Sequence, residues 1–256
     1  MPRCSRHCPS TAVGLWKEAA LDTRELQRGM YEHCGPSKAQ RLTLAALAAV
    51  WLALAWWLLF GGGIAAVGAW SGQGWRPGDA LRRACLAGGF TVYFVRILFT
   101  TFVFLKRGMS WGEVFTIAPW LLFLSLLVGI AGGRQAAPLA AAGMAGIALF
   151  LAGSWMNSYA EYARYVWRRR PENQRRLYTG SLFRWSRHPN YLGDLVSFSG
   201  LSLISGAWVT ATIPALMLAG FVFANVPALD AHLREKYGVE FDEYAARTKR
   251  LIPFVY

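Results

Sequence analysis

Long apolar runs separated by short polar links set the plan of this chain. Runs at 42–67, 84–105, 111–130 and 138–167, one that begins at Tyr191, and one at 208–226 approach or exceed what a crossing helix needs. That need is roughly 20 residues for a hydrocarbon core of about 30 Å. Breaks fall at Gly61-Gly62-Gly63, at 71–83 with Pro77 and Gly78, at Lys106-Arg107-Gly108, at Gly132-Gly133-Arg134 and at Ser205-Gly206. Gly and Pro are the strongest local punctuators, so each is read as a turn between helices. The pattern predicts an all-α polytopic membrane bundle of about six or seven transmembrane helices. After Pro227, residues 228–247 are too charged to span and predict a surface helix. Residues 1–40 form a polar tail ahead of a membrane domain at 41–256.

Composition agrees with the pattern and adds a sign. Hydrophobic residues make up 55% of the 256 and charged residues 16%, with a mean hydropathy of +0.28. An ordinary soluble domain is excluded. The formal charge of +13 lies outside the apolar runs. Lys and Arg gather in cytoplasmic loops, which accounts for part of it; an anionic ligand such as a phosphate-bearing cofactor accounts for the rest. Nucleic-acid binding does not fit, because no soluble module remains to carry it. An even number of spans puts both termini on one side. With the arginine-rich loop at 164–188 cytosolic, so are 106–110 and both termini; Arg76, Arg82 and Arg83 then fall on the far side, against the trend. Cys4 and Cys8 flank His7, but this C-x3-C has no second pair and predicts no metal site. With Cys34 and Cys85 the cysteines give no disulfide framework, and the tail lacks the apolar core of a signal peptide.

Polar residues inside apolar runs are costly and therefore informative. Tyr93 and Arg96, three apart, share a helix face in the second run. The arginine either reaches the near interface or faces a cavity or an anion; beside it, the Tyr93 hydroxyl can donate a proton or clamp a carbonyl. Asn157, Glu161 and Arg164 form one stripe of the fourth helix, with Ser158 alongside. That stripe is either an internal Glu–Arg pair at the membrane surface or a wall for ribose hydroxyls or an amide. Then comes an octet, Arg187-His188-Pro189-Asn190-Tyr191-Leu192-Gly193-Asp194. Pro189 forbids a continuous helix through His188. A helix restarting there turns free N–H groups and its positive end toward Arg184 and Arg187, as a pyrophosphate requires. By spacing alone a capped helix start serves equally well. Asp230 and His232 follow the last run at the membrane boundary.

These residues carry a resemblance. The octet resembles the signature of the integral-membrane sterol reductases, and Met156-Asn157-Ser158 followed by Arg164 resembles their asparagine–serine motif. Asp230, His232, Lys236-Tyr237-Gly238, Tyr244 and Ile252-Pro253-Phe254 are similar to their C-terminal pattern. Tyr93-Phe94-Val95-Arg96, Asn157 with Glu161, and the ending from Lys249 to Tyr256 resemble the steroid 5-alpha-reductases. The resemblance covers about 93–256 and implies a membrane reductase that uses NADPH to saturate a carbon–carbon double bond in a lipid or sterol-like substrate. By carry-over, Asn157, Ser158, Glu161, Arg164, Arg184, Arg187, His188, Asn190, Tyr191, Asp194, Asp230 and His232 line the cofactor site, and Tyr93 and Arg96 serve the substrate. It implies the endoplasmic reticulum in a eukaryote or the inner membrane in a bacterium. Two features depart: 42–67 holds no acid where the steroid reductases carry a Gln–Glu pair, and Leu229 stands where an arginine precedes the C-terminal aspartate. The octet's Arg-His-Pro-x-Tyr is also similar to the isoprenylcysteine carboxyl methyltransferases, which bind S-adenosylmethionine. A non-catalytic lipid-binding relative is the third reading.

Overall fold

The computed structural model describes residues 35–256; Cys4, His7, Cys8, Cys34 and most of the expected tail lie outside them. Nine α-helices are described: α1 (Lys38–Phe60), α2 (Gly63–Trp70), α3 (Ala80–Phe99), α4 (Trp111–Gly133), α5 (Ala141–Arg168), α6 (Pro189–Ser205), α7 (Thr212–Gly220), α8 (Val226–Tyr237) and α9 (Val239–Arg247). Wider π turns extend α3 over Thr100–Phe104 and join α7 to α8 over Phe221–Asn225. The described residues form no sheet. The chain is an all-helical membrane bundle, and local signals set its boundaries. Ser110 and Glu113 form a reciprocal capping box on α4; Asp79 caps α3 by accepting from the Arg82 N–H; Pro189 opens α6 at a position that needs no N–H.

Among the described residues, four helical segments are long and apolar enough to cross a membrane: Lys38–Phe60, Ala80–Phe104, Trp111–Gly133 and Trp208–Tyr237. The other two expected runs also form helices. However, α5 is diluted by Asn157, Glu161, Arg164 and Arg168, and α6 has only 17 residues. The sixth run departs from expectation. It does not stop at Pro227 but continues through it to Tyr237, so the surface helix predicted for 228–247 is divided at Gly238, where φ is +54°. The π turn just before Pro227 shifts the hydrogen-bond register where proline has no N–H to give.

One apolar core joins most of the bundle, with Leu59, Leu86, Phe90, Leu124, Phe150, Phe198, Leu201 and Ile213 buried together. The tightest element pair is α5 against α6. A Cβ on Gly193 would stand 2.6 Å from the Asn157 nitrogen and 2.7 Å from the Gly153 carbonyl oxygen. Only glycine lets the two backbones come that close, and the approach fixes the α5 polar stripe against the start of α6. At one end of the bundle, the 169–188 loop, α9 and the C-terminal residues form a cap with a small core of Leu177, Phe241 and Tyr244. The Tyr244 hydroxyl donates to the Phe183 carbonyl at 2.6 Å. The loop after α3 lies at this same end, since Phe104 and Lys106 both lie against the Tyr165 ring.

Two of the three arginines that ran against the charge trend, Arg82 and Arg83, are bound to backbone carbonyls inside the bundle. Arg82 is buried and donates to the carbonyls of Ile204 (2.5 Å), Ala137 (3.1 Å) and Pro138 (3.3 Å), closing the C-terminus of α6. Arg83 donates to Leu59 O at the end of α1 at 2.6 Å. At the opposite end, Arg41 bonds the carbonyls of Thr101, Leu105 and Arg107. Helix C-termini leave carbonyls unsatisfied and carry partial negative charge, so an arginine fork matches them.

Candidate active site

A polar column runs along one face of α5, from Ser154 through Asn157, Glu161 and Arg164 to Arg168. By helix rise it is about 21 Å long. Each level meets a different neighbour. At the inner level, Arg96 of α3 pairs with Asp194 of α6 (Nη2–Oδ1, 2.5 Å), while its other nitrogen reaches Ser154 Oγ at 3.4 Å. Ser154 and Ser197 hydroxyls lie 3.4 Å apart, both buried. Arg96 also lies over the Tyr93 ring, 5.6 Å to the centroid, and Tyr93 packs edge-on against Phe198. Arg96 therefore has a counter-ion inside the bundle and does not depend on reaching an interface.

At the next level, the Asn157 amide donates to the Asn190 carbonyl at 3.0 Å, so the octet presents its backbone to the stripe. One turn further, Arg164 pairs with Glu161 at 2.6 Å. Beyond it opens a solvent-facing cleft lined by Phe104, Lys106, Glu161, Arg164, Tyr165, Arg168 and Arg169. Four cations and one acid face this space. Lys106 and Arg169 both lie over the Tyr165 ring, at 4.7 and 5.7 Å.

The remaining octet residues turn away from this column. Arg187 and His188 are buried and face Asp230 of α8. The His188 Nε2–Asp230 Oδ1 distance is 2.9 Å, Arg187 Nη2–Asp230 Oδ2 is 3.1 Å, and Arg250 adds a longer contact at 3.5 Å. The Arg187 N–H donates to the Lys249 carbonyl at 2.9 Å, and Ser186 Oγ accepts from the His188 N–H at 3.2 Å. Burial lowers the pKa of His188, against the opposing pull of Asp230, and favours neutral imidazole. To hydrogen-bond a carboxylate, the neutral ring must carry its proton on Nε2. Burial also lowers Arg187, again opposed by Asp230, and raises the Tyr244 phenol. This cluster ties the loop, α8 and the C-terminal residues together.

Of the residues expected from sequence, the structure joins Tyr93, Arg96 and Asp194 in one group, Asn157 and Asn190 in a second, Glu161 and Arg164 in a third, and Arg187, His188 and Asp230 in a fourth. Ser158 is half-buried beside the column. Tyr191 stacks between His188 (5.6 Å) and Phe221 (4.7 Å). Arg184 is exposed, outside these groups, and His232 lies round α8 from Asp230. Sequence reasoning missed Ser154, Ser197, Lys106, Arg168 and Arg250. Extending the α5 stripe one turn each way would have found Ser154 and Arg168. Ser197 lies three residues after Asp194, on the same face. Lys106 and Arg250 come from distant segments and had no local signal.

A family described as a protein of unknown function (DUF1295) matches residues 82–248 of this chain. Among curated proteins, the chain is 29% identical over 111 residues to 3-oxo-5-alpha-steroid 4-dehydrogenase 2 of Homo sapiens, covering 43% of this chain and 42% of that one. It is 35% identical over 96 residues to the probable O-methyltransferase ustE of Ustilaginoidea virens, covering 36% and 34%. It is 30% identical over 84 residues to a probable protein-S-isoprenylcysteine O-methyltransferase of Oryza sativa subsp. japonica, covering 33% and 44%. The chain thus spans less than half the length of these relatives.

Proposed function

Because the chain belongs to the DUF1295 family, within the superfamily of membrane steroid reductases and isoprenylcysteine methyltransferases, we propose that it is a multi-pass membrane oxidoreductase. It uses NADPH to reduce a carbon–carbon double bond in a sterol, steroid or other lipid enone or alkene. The observation that carries this reading is the charge of the cleft beyond Arg164. Lys106, Arg164, Arg168 and Arg169 face it against the single acid Glu161. NADPH brings a pyrophosphate and a further ribose phosphate, whereas S-adenosylmethionine has no phosphate and carries a sulfonium cation. Like charges so placed disfavour the sulfonium and favour the phosphates. The methyltransferase reading keeps the 35% match to an O-methyltransferase in its favour, and a non-catalytic lipid-binding relative stands behind both.

The cleft residues fit the phosphate-bearing part of the cofactor, and Asn157, Glu161 and Asn190 fit its sugars and amide. When bound, NADPH supplies a hydride. The chain's own residues supply orientation and a dry setting. Arg96 and Asp194 fix each other and position Tyr93, whose hydroxyl polarises the substrate or gives the proton to the carbon opposite the hydride. Arg187, His188 and Asp230 hold the loop that closes the site. On this reading the loops 106–110 and 164–188 and both termini are cytosolic, in the endoplasmic reticulum of a eukaryote or the inner membrane of a bacterium.

The test is a titration of the purified chain in lipid nanodiscs with NADPH and with S-adenosylmethionine. NADPH should bind at micromolar concentration, weaken with salt, and weaken roughly tenfold or more in Lys106→Ala and Arg168→Ala. Tight S-adenosylmethionine binding, or NADPH affinity unchanged in both variants, overturns the reading. Tyr93→Phe should lower turnover and leave NADPH affinity intact.

A further inference from the structure

The cap over the polar column carries an apolar face of its own. Trp185, Phe254 and Val255 are 57%, 79% and 73% exposed. The Trp185 and Phe254 rings meet edge to face, with 5.7 Å between centroids. They come from segments that are already joined: Ser186 and Lys249 form a parallel bridge, and the Arg187 N–H donates to the Lys249 carbonyl at 2.9 Å. The loop and the residues after α9 therefore present one surface.

The turn that carries Phe254 is strained. The Val255 N–H donates to the Ile252 carbonyl at 3.1 Å, and the Tyr256 carbonyl accepts from the Leu251 and Ile252 N–H groups at 2.7 and 2.9 Å. Pro253 and Phe254 are the two central residues, and Phe254 has a φ of +66°. A turn with positive φ at this position takes Gly or Asn, because a bulky side chain is strained there. A phenylalanine held where glycine fits better points to a use for its ring outside the turn.

The depth of this face says what that use is. The Tyr256 hydroxyl donates to the Val222 carbonyl at 3.4 Å, on the Trp208–Tyr237 span. By helix rise, Val222 lies about 21 Å from Trp208, short of the roughly 30 Å of a hydrocarbon core. Phe223, the next residue, is 82% exposed. The apolar face is thus level with the last apolar turns of a span and continuous with its outer surface. Beside it stand two exposed cations, Arg184 and Lys249. Aromatic and aliphatic side chains below and basic ones above are what an anionic membrane surface takes up.

We propose that Trp185, Phe254 and Val255 dock into the boundary between headgroups and acyl chains, with Arg184 and Lys249 on anionic lipid headgroups. Docking pins the 249–256 segment to the bilayer. Through the Lys249 carbonyl it also holds the loop that bears Arg187 and His188, so the lipid surface steadies the cap. None of this depends on the reaction carried out in the column.

Two measurements on the full chain in lipid nanodiscs test it. The emission of Trp185, taken as the difference between wild type and Trp185→Phe, should be quenched by phospholipids brominated near the top of the acyl chain and less by those brominated near its end. Hydrogen exchange of the Leu251 and Ile252 amides is then compared in discs of phosphatidylcholine alone and with phosphatidylglycerol added. The anionic lipid should slow exchange at least about fivefold, the worth of one Lys or Arg at such a surface. High salt, or the double variant Arg184→Gln/Lys249→Gln, should remove that difference. Phe254→Gly suits the turn, so a ring that serves only the fold predicts equal or slower exchange in this variant, whereas docking predicts faster exchange. Unquenched Trp185 emission, equal exchange in the two kinds of disc, or protection kept in Phe254→Gly overturns the proposal.

Discussion

Asp194→Ala isolates the ion pair at the inner level of the column. Arg96 and Asp194 meet at 2.5 Å, with side chains 10% and 23% exposed, and the Arg96 Nε is buried without a partner even in the intact pair. Removing the carboxylate leaves the guanidinium with the Ser154 hydroxyl at 3.4 Å and the Tyr93 ring. Neither neutralises a charge. Breaking a buried pair on one side typically costs about 3–5 kcal/mol, because the other charge stays buried and uncompensated. For a chain of this size that corresponds to a fall in Tm of roughly 6–20 °C. Thermal unfolding in nanodiscs measures it. The double variant Arg96→Leu/Asp194→Leu removes both charges and should recover to within about 1 kcal/mol of the wild type, since apolar residues replace such pairs at little or no loss. Its turnover should be absent, separating the pair's role in stability from its role at the site. A fall below about 1 kcal/mol for Asp194→Ala, or a double variant as unstable as the two single variants added together, would refute the burial and pairing on which this rests.

Gly193→Ala should destabilise by about 1–3 kcal/mol through overpacking, because its Cβ would stand 2.6 Å from the Asn157 nitrogen; an unchanged unfolding midpoint refutes the close α5–α6 contact. His188 has a lowered pKa in the fold, so below its ordinary value of 6.5 the unfolded chain binds a proton that the fold refuses. Its contribution to stability is full above about pH 6.5 and falls as pH drops toward the folded value, by up to about 1.4 kcal/mol per unit; His188→Gln should flatten that part of the pH–stability curve. Arg82→Lys keeps the charge but cannot fork to carbonyls on two segments; unfolding should show a loss of about 2–4 kcal/mol, from charge-assisted bonds worth about 1.5–3 kcal/mol each.

The helical plan was legible because apolar periodicity and glycine or proline breaks act locally. The α5 stripe was legible for the same reason: Asn157, Glu161 and Arg164 are spaced at the helical repeat. The octet was readable as a helix restart at Pro189, and α6 does begin there. Its facing was not readable. Nothing in the spacing says that Arg187 and His188 turn to Asp230 while the Asn190 carbonyl turns to Asn157. That division comes from the α5–α6 glycine contact and from the path of the C-terminal residues, which bring Lys249 and Arg250 back onto the loop. The end of the sixth run was misplaced because Pro227 reads as a stop, whereas the π turn before it is a tertiary accommodation.

The basic charge of the chain divides by what each cation meets. Arg41, Arg82 and Arg83 end on backbone carbonyls at helix C-termini; Arg96 and Arg187 end on carboxylates within the bundle. These charges are used internally, and counting them as loop charge misstates the asymmetry between the two ends. Arg82 and Arg83 were two of the three cations, with Arg76, that opposed the expected orientation. With their guanidinium groups bound to the ends of α6 and α1, the opposition they express is small. Lys106, Arg168 and Arg169 differ in kind. They converge from two segments on one cleft beside a single acid, where their mutual repulsion is an energetic cost that the fold retains. An incoming phosphate removes that cost. On charge alone, this cleft suits an anion.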